Sequence, residues 1–166
     1  MPPVNKFKPH LFIVPEDDAD RQIAVGFQMH LEANGEMQIV DVAGGWLKVV
    51  NVIKDEYVPL LNNNPNTHVL GIIDCDKDTD RIAEQLETFP AGIRNRIFLL
   101  GVNENPQEFK RSTKMHFAQI GGKLADECYK DELDLWNHEM LSYSSIEALR
   151  AKDALRELVF GFSPPV

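Results

Sequence analysis

Three acidic residues, Glu16, Asp74 and Asp76, have the side-chain type and the spacing of a metal site. Glu16 directly follows the apolar run 11–15, and Asp74 and Asp76 follow a second run, 68–73. Carboxylate oxygens are the ligands that Mg²⁺ and Mn²⁺ prefer in proteins. Carboxylates that share a pocket repel one another unless a cation lies among them. We therefore expect a divalent cation, Mg²⁺ or Mn²⁺, at these residues, where it would neutralise a phosphoryl group and orient a nucleophile.

These acids lie together only if the two apolar runs are neighbouring strands. Apolar runs alternate with helical patterns through four repeats, which is typical of an α/β fold whose sheet is covered on both faces. We predict a Rossmann-like, mostly parallel four-stranded sheet in the order 2-1-3-4, with flanking helices and a helical C-terminal extension. In this order strands one and three are neighbours, and ligands bind beyond their carboxyl ends. Glu16 and Asp74 are 58 residues apart (74 − 16 = 58), yet this topology brings them side by side.

The periodicity of apolar residues predicts the limits of the elements. Strands are predicted at 11–15, 37–43, 68–73 and 96–102, and helices at 19–31, 46–61, 79–88, 107–130, 132–141 and 145–160. Apolar residues expected to face the core include Leu31, Leu47, Ile146 and Leu149. The glycine pair at 121–122 is expected to interrupt its helix rather than to form a site.

Length and composition are those of one globular domain, with 166 residues that are 43% hydrophobic and 26% charged. We predict a single domain over 1–166, with an α/β core at 11–102 and a helical extension at 103–162. No apolar run approaches the roughly 20 residues of a membrane span. The first residues lack a secretory signal, and the two cysteines do not make a disulfide framework. These features favour a cytoplasmic protein without a membrane partner.

The formal net charge of −9 restricts the partners of the chain. Affinity for nucleic acids comes largely from Lys and Arg side chains that neutralise phosphates, so an acidic chain binds them poorly by charge alone. A nucleic acid substrate would need a metal, a local basic patch or a protein partner to supply the attraction. A nucleic acid substrate and a protein partner are both left open, as is the oligomeric state.

Glycines and lysines near the strand ends are candidates for contacts with a phosphate group. Gly44 and Gly45 follow the second predicted strand, and backbone N–H groups at the start of the next helix bind anions. Lys48 and Lys77 follow the second and third strands closely enough to meet an anionic ligand. Interpretations without a ligand also stay open: the glycines form only a tight turn, and each lysine is a solvated surface charge. Loop acids likewise serve as helix caps in many proteins.

The order of these motifs resembles a Toprim domain, the metal-binding module of topoisomerases, bacterial primases and related nucleases. The likeness lies in the order strand–Glu16–helix, strand–Gly44-Gly45–helix and strand–Asp74-x-Asp76, and in the segment Leu70-Gly-Ile-Ile-Asp-Cys-Asp, which is similar to small stand-alone Toprim-like proteins. It covers about 11–102. The resemblance implies that Glu16 is a general acid/base or metal-associated carboxylate, that Asp74 and Asp76 are Mg²⁺ ligands, and that the activity is nuclease-like. Toprim domains usually have Gly after the glutamate, where this chain has Asp17.

Two other functions are compatible with parts of the pattern. The segment 12–21 also resembles the start of a response-regulator receiver domain, in which Asp74 would accept a phosphoryl group. A receiver has Ser or Thr after the fourth strand, where this chain has Gly101-Val-Asn, and Lys-Pro after a fifth strand that the pattern does not predict. The other alternative is a Toprim-like interaction module without catalytic activity that works inside a larger complex.

Overall fold

A computed structural model describes residues 9–75, 78, 80–102, 110–111, 113–138, 141 and 145–162. Its sheet has four strands, β1 (His10–Pro15), β2 (Glu36–Ile39), β3 (Thr67–Asp74) and β4 (Ile97–Val102). The order across the sheet is β2-β1-β3-β4, and every neighbouring pair is parallel. The α/β class and the predicted strand order are therefore confirmed.

Helices connect the strands and cover both faces of the sheet. They are α1 (Asp18–Gln28), α2 (Trp46–Val52), α3 (Val58–Asn63), α4 (Arg81–Leu86), α5 (Phe117–Lys130) and α6 (Ser145–Leu158). A π-helical stretch, Ile53–Tyr57, joins α2 to α3, and a 3-10 turn, Arg94–Arg96, precedes β4. Within the described residues, every helix is too short or too polar to cross a membrane.

One face of the sheet is covered by α1, α5 and α6. Leu11 and Ile13 of β1 lie on this face, because alternate residues of a strand point to opposite sides. Phe27 of α1, Ile120 of α5 and Leu155 of α6 are buried in the same apolar cluster. The two C-terminal helices, which the sequence analysis treats as an extension, therefore share the core of the α/β part.

The opposite face of the sheet is covered by α2, the π-helical stretch, α3 and α4. Phe12 and Val14 of β1 lie on this side, because they alternate along the strand with Leu11 and Ile13, which face the other side. Val50, Ile53 and Leu61 are fully buried against them, as the apolar pattern of 46–61 predicts. β1 is thus buried from both sides, which explains its continuous apolar run.

Some predicted helix limits are wrong. α1 ends at Gln28, three residues before the predicted end. The segment predicted as a helix at 132–141 forms turns in its described part. Besides short-range turn bonds, tertiary hydrogen bonds hold this segment: the Leu135 N–H donates to the Glu127 carboxylate at 2.7 Å, and the Trp136 indole N–H donates to the Leu124 carbonyl at 2.9 Å.

Four apolar side chains that the sequence analysis assigns to the core lie at the surface instead. Leu31 is 97% exposed beyond the end of α1, and Ile146 on α6 is 80% exposed. Leu47 and Leu149 are also exposed. The buried apolar residues of α6 are Ala148, Ala151, Leu155 and Leu158, and Lys152 is buried with them. Small alanines let this helix lie close to β4, so its orientation follows from the fit to the sheet and not from its largest apolar residues.

Gly121 lies inside α5, so the predicted helix break at 121–122 is wrong. A Cβ atom at Gly121 would lie 1.8 Å from the Ile23 carbonyl oxygen, and one at Gly26 would lie 2.0 Å from the Ala118 carbonyl oxygen. The two glycines therefore allow the backbones of α1 and α5 to approach each other closely. A Cβ atom at Gly122 would meet only the Gly26 oxygen, at 3.9 Å. Tertiary packing outweighs the low helix propensity of both glycines in α5.

We expect Gly121→Ala to lower the free energy of unfolding by about 1–3 kcal/mol, because the added methyl group overlaps backbone atoms that have little room to move. Gly122→Ala is the matched control, since it gains about 1 kcal/mol of helix propensity without an overlap. Urea denaturation followed by circular dichroism measures both values. Equal stability of the two variants would contradict the close approach of α1 and α5.

Candidate functional site

Glu16 and Asp74 meet at the carboxyl end of the sheet. β1 ends at Pro15 and β3 ends at Asp74. The backbone N–H of Asp74 donates to Oε2 of Glu16 at 2.5 Å, and the Glu16 N–H donates to the Ile72 carbonyl at 3.1 Å. The Glu16 side chain therefore reaches from β1 across to its neighbour β3. Two residues that are distant in sequence come together through the pairing of adjacent parallel strands.

The turn after β2 is joined to Glu16 through the backbone. Gly44 has a φ angle of 90°, in the left-handed region that favours glycine, and its N–H donates to the Glu16 carbonyl at 2.8 Å. This N–H is thus engaged within the fold and is not the one that would hold a phosphate group. Gly45 has open space where a Cβ atom would stand, and the Lys48 ammonium lies 3.8 Å from the corresponding position at Gly44. Lys48 brings a positive charge to this turn.

Arg81 is a site residue that the sequence analysis missed. Its Nη1 donates to the Asp74 carbonyl at 2.8 Å, and its Nε lies 3.9 Å from the Asp78 carboxylate. The guanidinium carbon lies 4.2 Å from the centre of the Trp46 ring. Stacking on an aromatic face holds a planar guanidinium group in one orientation. The available signal in the sequence was an arginine at the start of the helix that follows β3.

Asp20 is a second residue that the sequence analysis missed. Its side chain is 1% exposed, and among the described residues its Oδ1 has no hydrogen-bond partner. Burial, followed by the negative charges of Asp17 and Glu16, raises the pKa of Asp20 well above its ordinary value. Asp20 lies on the buried face of α1, together with the apolar residues Ile23 and Phe27. An acid in such a series, four residues after Glu16, is the signal that would have revealed it.

The two acids that directly follow Glu16 have structural roles. Asp17 caps α1, since its carboxylate accepts the Asp20 N–H at 3.0 Å. Asp18 is exposed and accepts hydrogen bonds from Gln22 at 2.6 Å and Arg21 at 3.1 Å. The bond from Gln22, followed by that from Arg21, lowers the pKa of Asp18. Arg21 is therefore paired with a surface carboxylate.

The side-chain chemistry at this edge of the sheet suits a hard cation. Glu16 and Asp74 carry carboxylate oxygens, and the buried Asp20 carboxyl lies near enough to Glu16 for the charge of Glu16 to raise its pKa. In the part of the chain that the structure describes, no three His, Cys, Asp or Glu side chains are grouped closely enough to hold a metal ion. Asp76, the third predicted ligand, and Lys77, a predicted phosphate contact, lie outside the described residues.

Comparison with known proteins identifies no relative, since no protein-family model, curated protein or solved structure matches this chain. The function must therefore be argued from the chain's own residues and their arrangement.

We expect Asp20→Asn to stabilise the fold at neutral pH when no metal is present. The unfolded chain releases the Asp20 proton near the ordinary pKa of about 3.9, whereas the folded chain keeps it to higher pH. The free energy of unfolding therefore falls as the pH rises through that window, and an uncharged asparagine removes the loss. Thermal unfolding in EDTA should show a gain in Tm that is near zero at pH 4 and grows toward pH 7.5, by about 2–4 °C per kcal/mol.

Asp18→Asn is the matched control for this measurement, because the same substitution two residues earlier removes a carboxylate whose pKa is lowered. Asp18 contributes to stability above its ordinary pKa, so this variant should gain no Tm at pH 7.5. A lower Tm for Asp20→Asn than for the wild type at pH 7.5 would contradict a buried, protonated Asp20.

Proposed function

We propose that this chain binds Mg²⁺ or Mn²⁺ with Glu16, Asp74 and Asp76, and that it performs nuclease-like phosphodiester chemistry on a nucleic acid as a Toprim-like protein. The observation that carries the proposal is the hydrogen bond from the Asp74 N–H to the Glu16 carboxylate. It holds residues from two strands at the edge of a parallel sheet where ligands bind. Helix capping does not account for Glu16, because Asp17 is the cap of α1.

The bound cation would neutralise charge on the phosphoryl group and orient the nucleophile. Glu16 is held at Oε2 by the Asp74 N–H, so its carboxylate has a defined orientation from which it accepts a proton from the attacking water or hydroxyl group. Arg81 at Asp74 and Lys48 beside Gly44 bring positive charge to the same edge. These cations offset the repulsion between the acidic residues and an anionic substrate.

The alternatives predict different chemistry on a similar fold. A receiver domain needs Ser or Thr after the fourth strand and Lys-Pro after a fifth, whereas this chain has Gly101-Val-Asn at the end of β4. This sequence therefore favours the Toprim-like function over phosphoryl acceptance at Asp74. An inactive Toprim-like interaction module would bind the cation through the same acids without cleaving a substrate, so an activity assay separates it from a nuclease.

We expect isothermal titration calorimetry to detect binding of Mg²⁺ and Mn²⁺ to the wild type. Glu16→Gln and Asp74→Asn should each weaken this binding by at least roughly 10–100-fold. This is the usual loss of affinity when an outer-shell partner of a metal site is removed. Asp134→Asn removes an exposed acid outside the site and should leave the affinity unchanged. Unaltered binding in both site variants, or no binding by the wild type at millimolar metal, would overturn the metal site.

Cleavage of labelled DNA and RNA tests the catalytic part of the proposal. We expect metal-dependent cleavage that Glu16→Gln reduces by about 10²–10⁴-fold, the usual contribution of a general base, in a variant whose Tm shows that it is folded. Metal binding without cleavage of either substrate would instead assign an inactive interaction module. A hydroxylamine-labile label transferred from acetyl phosphate and lost in Asp74→Asn would assign a receiver domain.

A further inference from the structure

A stretch of this acidic chain contains no acid at all. Asp and Glu outnumber Lys and Arg by 26 to 17 in the whole sequence. From Lys110 to Ala125, however, the chain has Lys110, Arg111, Lys114 and Lys123 and no Asp or Glu. This local excess of positive charge runs against the net charge of −9, and the metal site described above does not use it.

The start of this stretch lines an open cavity of about 370 Å³. The described residues that line it are Lys110, Arg111, Lys114, Met115 and His116. They comprise three permanent cations, one histidine and one apolar side chain, with no acid among them. The volume lies in the range of about 300–1,000 Å³ that is typical of ligand sites. A concave surface with this charge attracts an anion.

The backbone holds these side chains on one concave surface, which we call the 110–116 cavity. Lys114 has a φ angle of 58°, in the left-handed region, and its N–H donates to the Lys110 carbonyl at 2.9 Å. His116 then starts α5 with a capping box, in which its N–H donates to the Gln119 side chain at 2.9 Å. The Lys110 ammonium lies 5.3 Å from the centre of the Phe117 ring. Lys110, Arg111 and Lys114 have the i, i+1, i+4 spacing that places side chains on one side of a helical turn, and the left-handed Lys114 ends that turn before α5 begins.

The 110–116 cavity lies toward the same end of the domain as Glu16. α1 and α5 run in the same direction, because Gly122 of α5 lies against Gly26 of α1, and Asp126, four residues further along α5, is bonded at 3.2 Å to His30, just beyond the end of α1. α1 begins two residues after Glu16, at the carboxyl end of the sheet. The start of α5 therefore lies toward that end as well.

We propose that the 110–116 cavity binds the phosphodiester backbone of a nucleic acid strand. Lysine side chains such as Lys110 and Lys114 form charge-assisted hydrogen bonds with phosphate oxygens. The choice of a nucleic acid over another polyanion rests on the proposed function, whereas the recognition of phosphate rests on the cavity alone. A local basic surface is what an acidic chain requires to hold such a substrate. Binding is independent of base sequence, because phosphate groups carry no sequence information.

Fluorescence anisotropy of a labelled single-stranded oligonucleotide, in EDTA and at low salt, tests this site in the full-length chain. We expect Lys110→Gln/Lys114→Gln to weaken binding by about tenfold. The slope of log K against log[salt] should fall by about 0.7 for each lysine removed. The matched control is Lys54→Gln/Lys130→Gln, which changes the net charge equally. Lys54 lies in the π-helical stretch on the opposite face of the sheet and Lys130 at the far end of α5, so this control should change the affinity little.

Thermal unfolding checks that both double variants are folded. If they lose affinity equally, net charge alone governs binding, and the proposal is overturned. Competition by poly-glutamate as effective as that by unlabelled oligonucleotide would assign the cavity to an acidic protein segment and also overturn it. Competition by micromolar inorganic phosphate would assign it to a free phosphate. Since EDTA removes any bound metal, this assay measures oligonucleotide binding without a contribution from the metal. A failure of the metal site therefore leaves this result unaffected.

Discussion

The parallel pairing of β1 with β3 is the contact on which the rest of the structure depends. Its register joins His10 to Thr67 at one end and Pro15 to Ile72 at the other. Because both strands run in the same direction, their carboxyl ends open at the same edge, and Glu16 reaches the Asp74 N–H. Both strands lie in the middle of the sheet with helices on both faces. The residues at their ends are therefore attached to a well-packed part of the fold.

Charge at this edge is arranged by the tertiary structure. Glu16 and Asp74 lie beside each other, and the nearby Asp20 is buried where ionisation is costly. The raised pKa of Asp20 favours its uncharged form, and the Arg81 guanidinium, which donates to the Asp74 carbonyl, brings a positive charge to the same edge. A bound cation would offset the negative charge of Glu16 and Asp74, which links the acidic residues at this edge to the proposed metal site.

The C-terminal helices help to position the residues at this edge. α5 packs along α1 through the close approach at Gly26 and Gly121, and α1 starts directly after Glu16 and Asp17. The position of α1, and therefore of Asp20, depends on a helix that is almost a hundred residues later in the chain. The same packing directs the basic residues at the start of α5 toward the end of the domain where the acids lie.

Local pattern in the sequence was enough to predict the strands, their order and the meeting of Glu16 with Asp74, because buried parallel strands are continuous apolar runs and short crossovers restrict their arrangement. Tertiary structure alone decided which side of α6 is buried, why Gly121 stands inside a helix, and that Leu135 and Trp136 belong to a turn. It also decided that Arg81 stacks on Trp46 and that Asp20 is buried. Each of these features depends on contacts between segments distant in sequence, and periodicity within one segment carries no information about the surface it will meet.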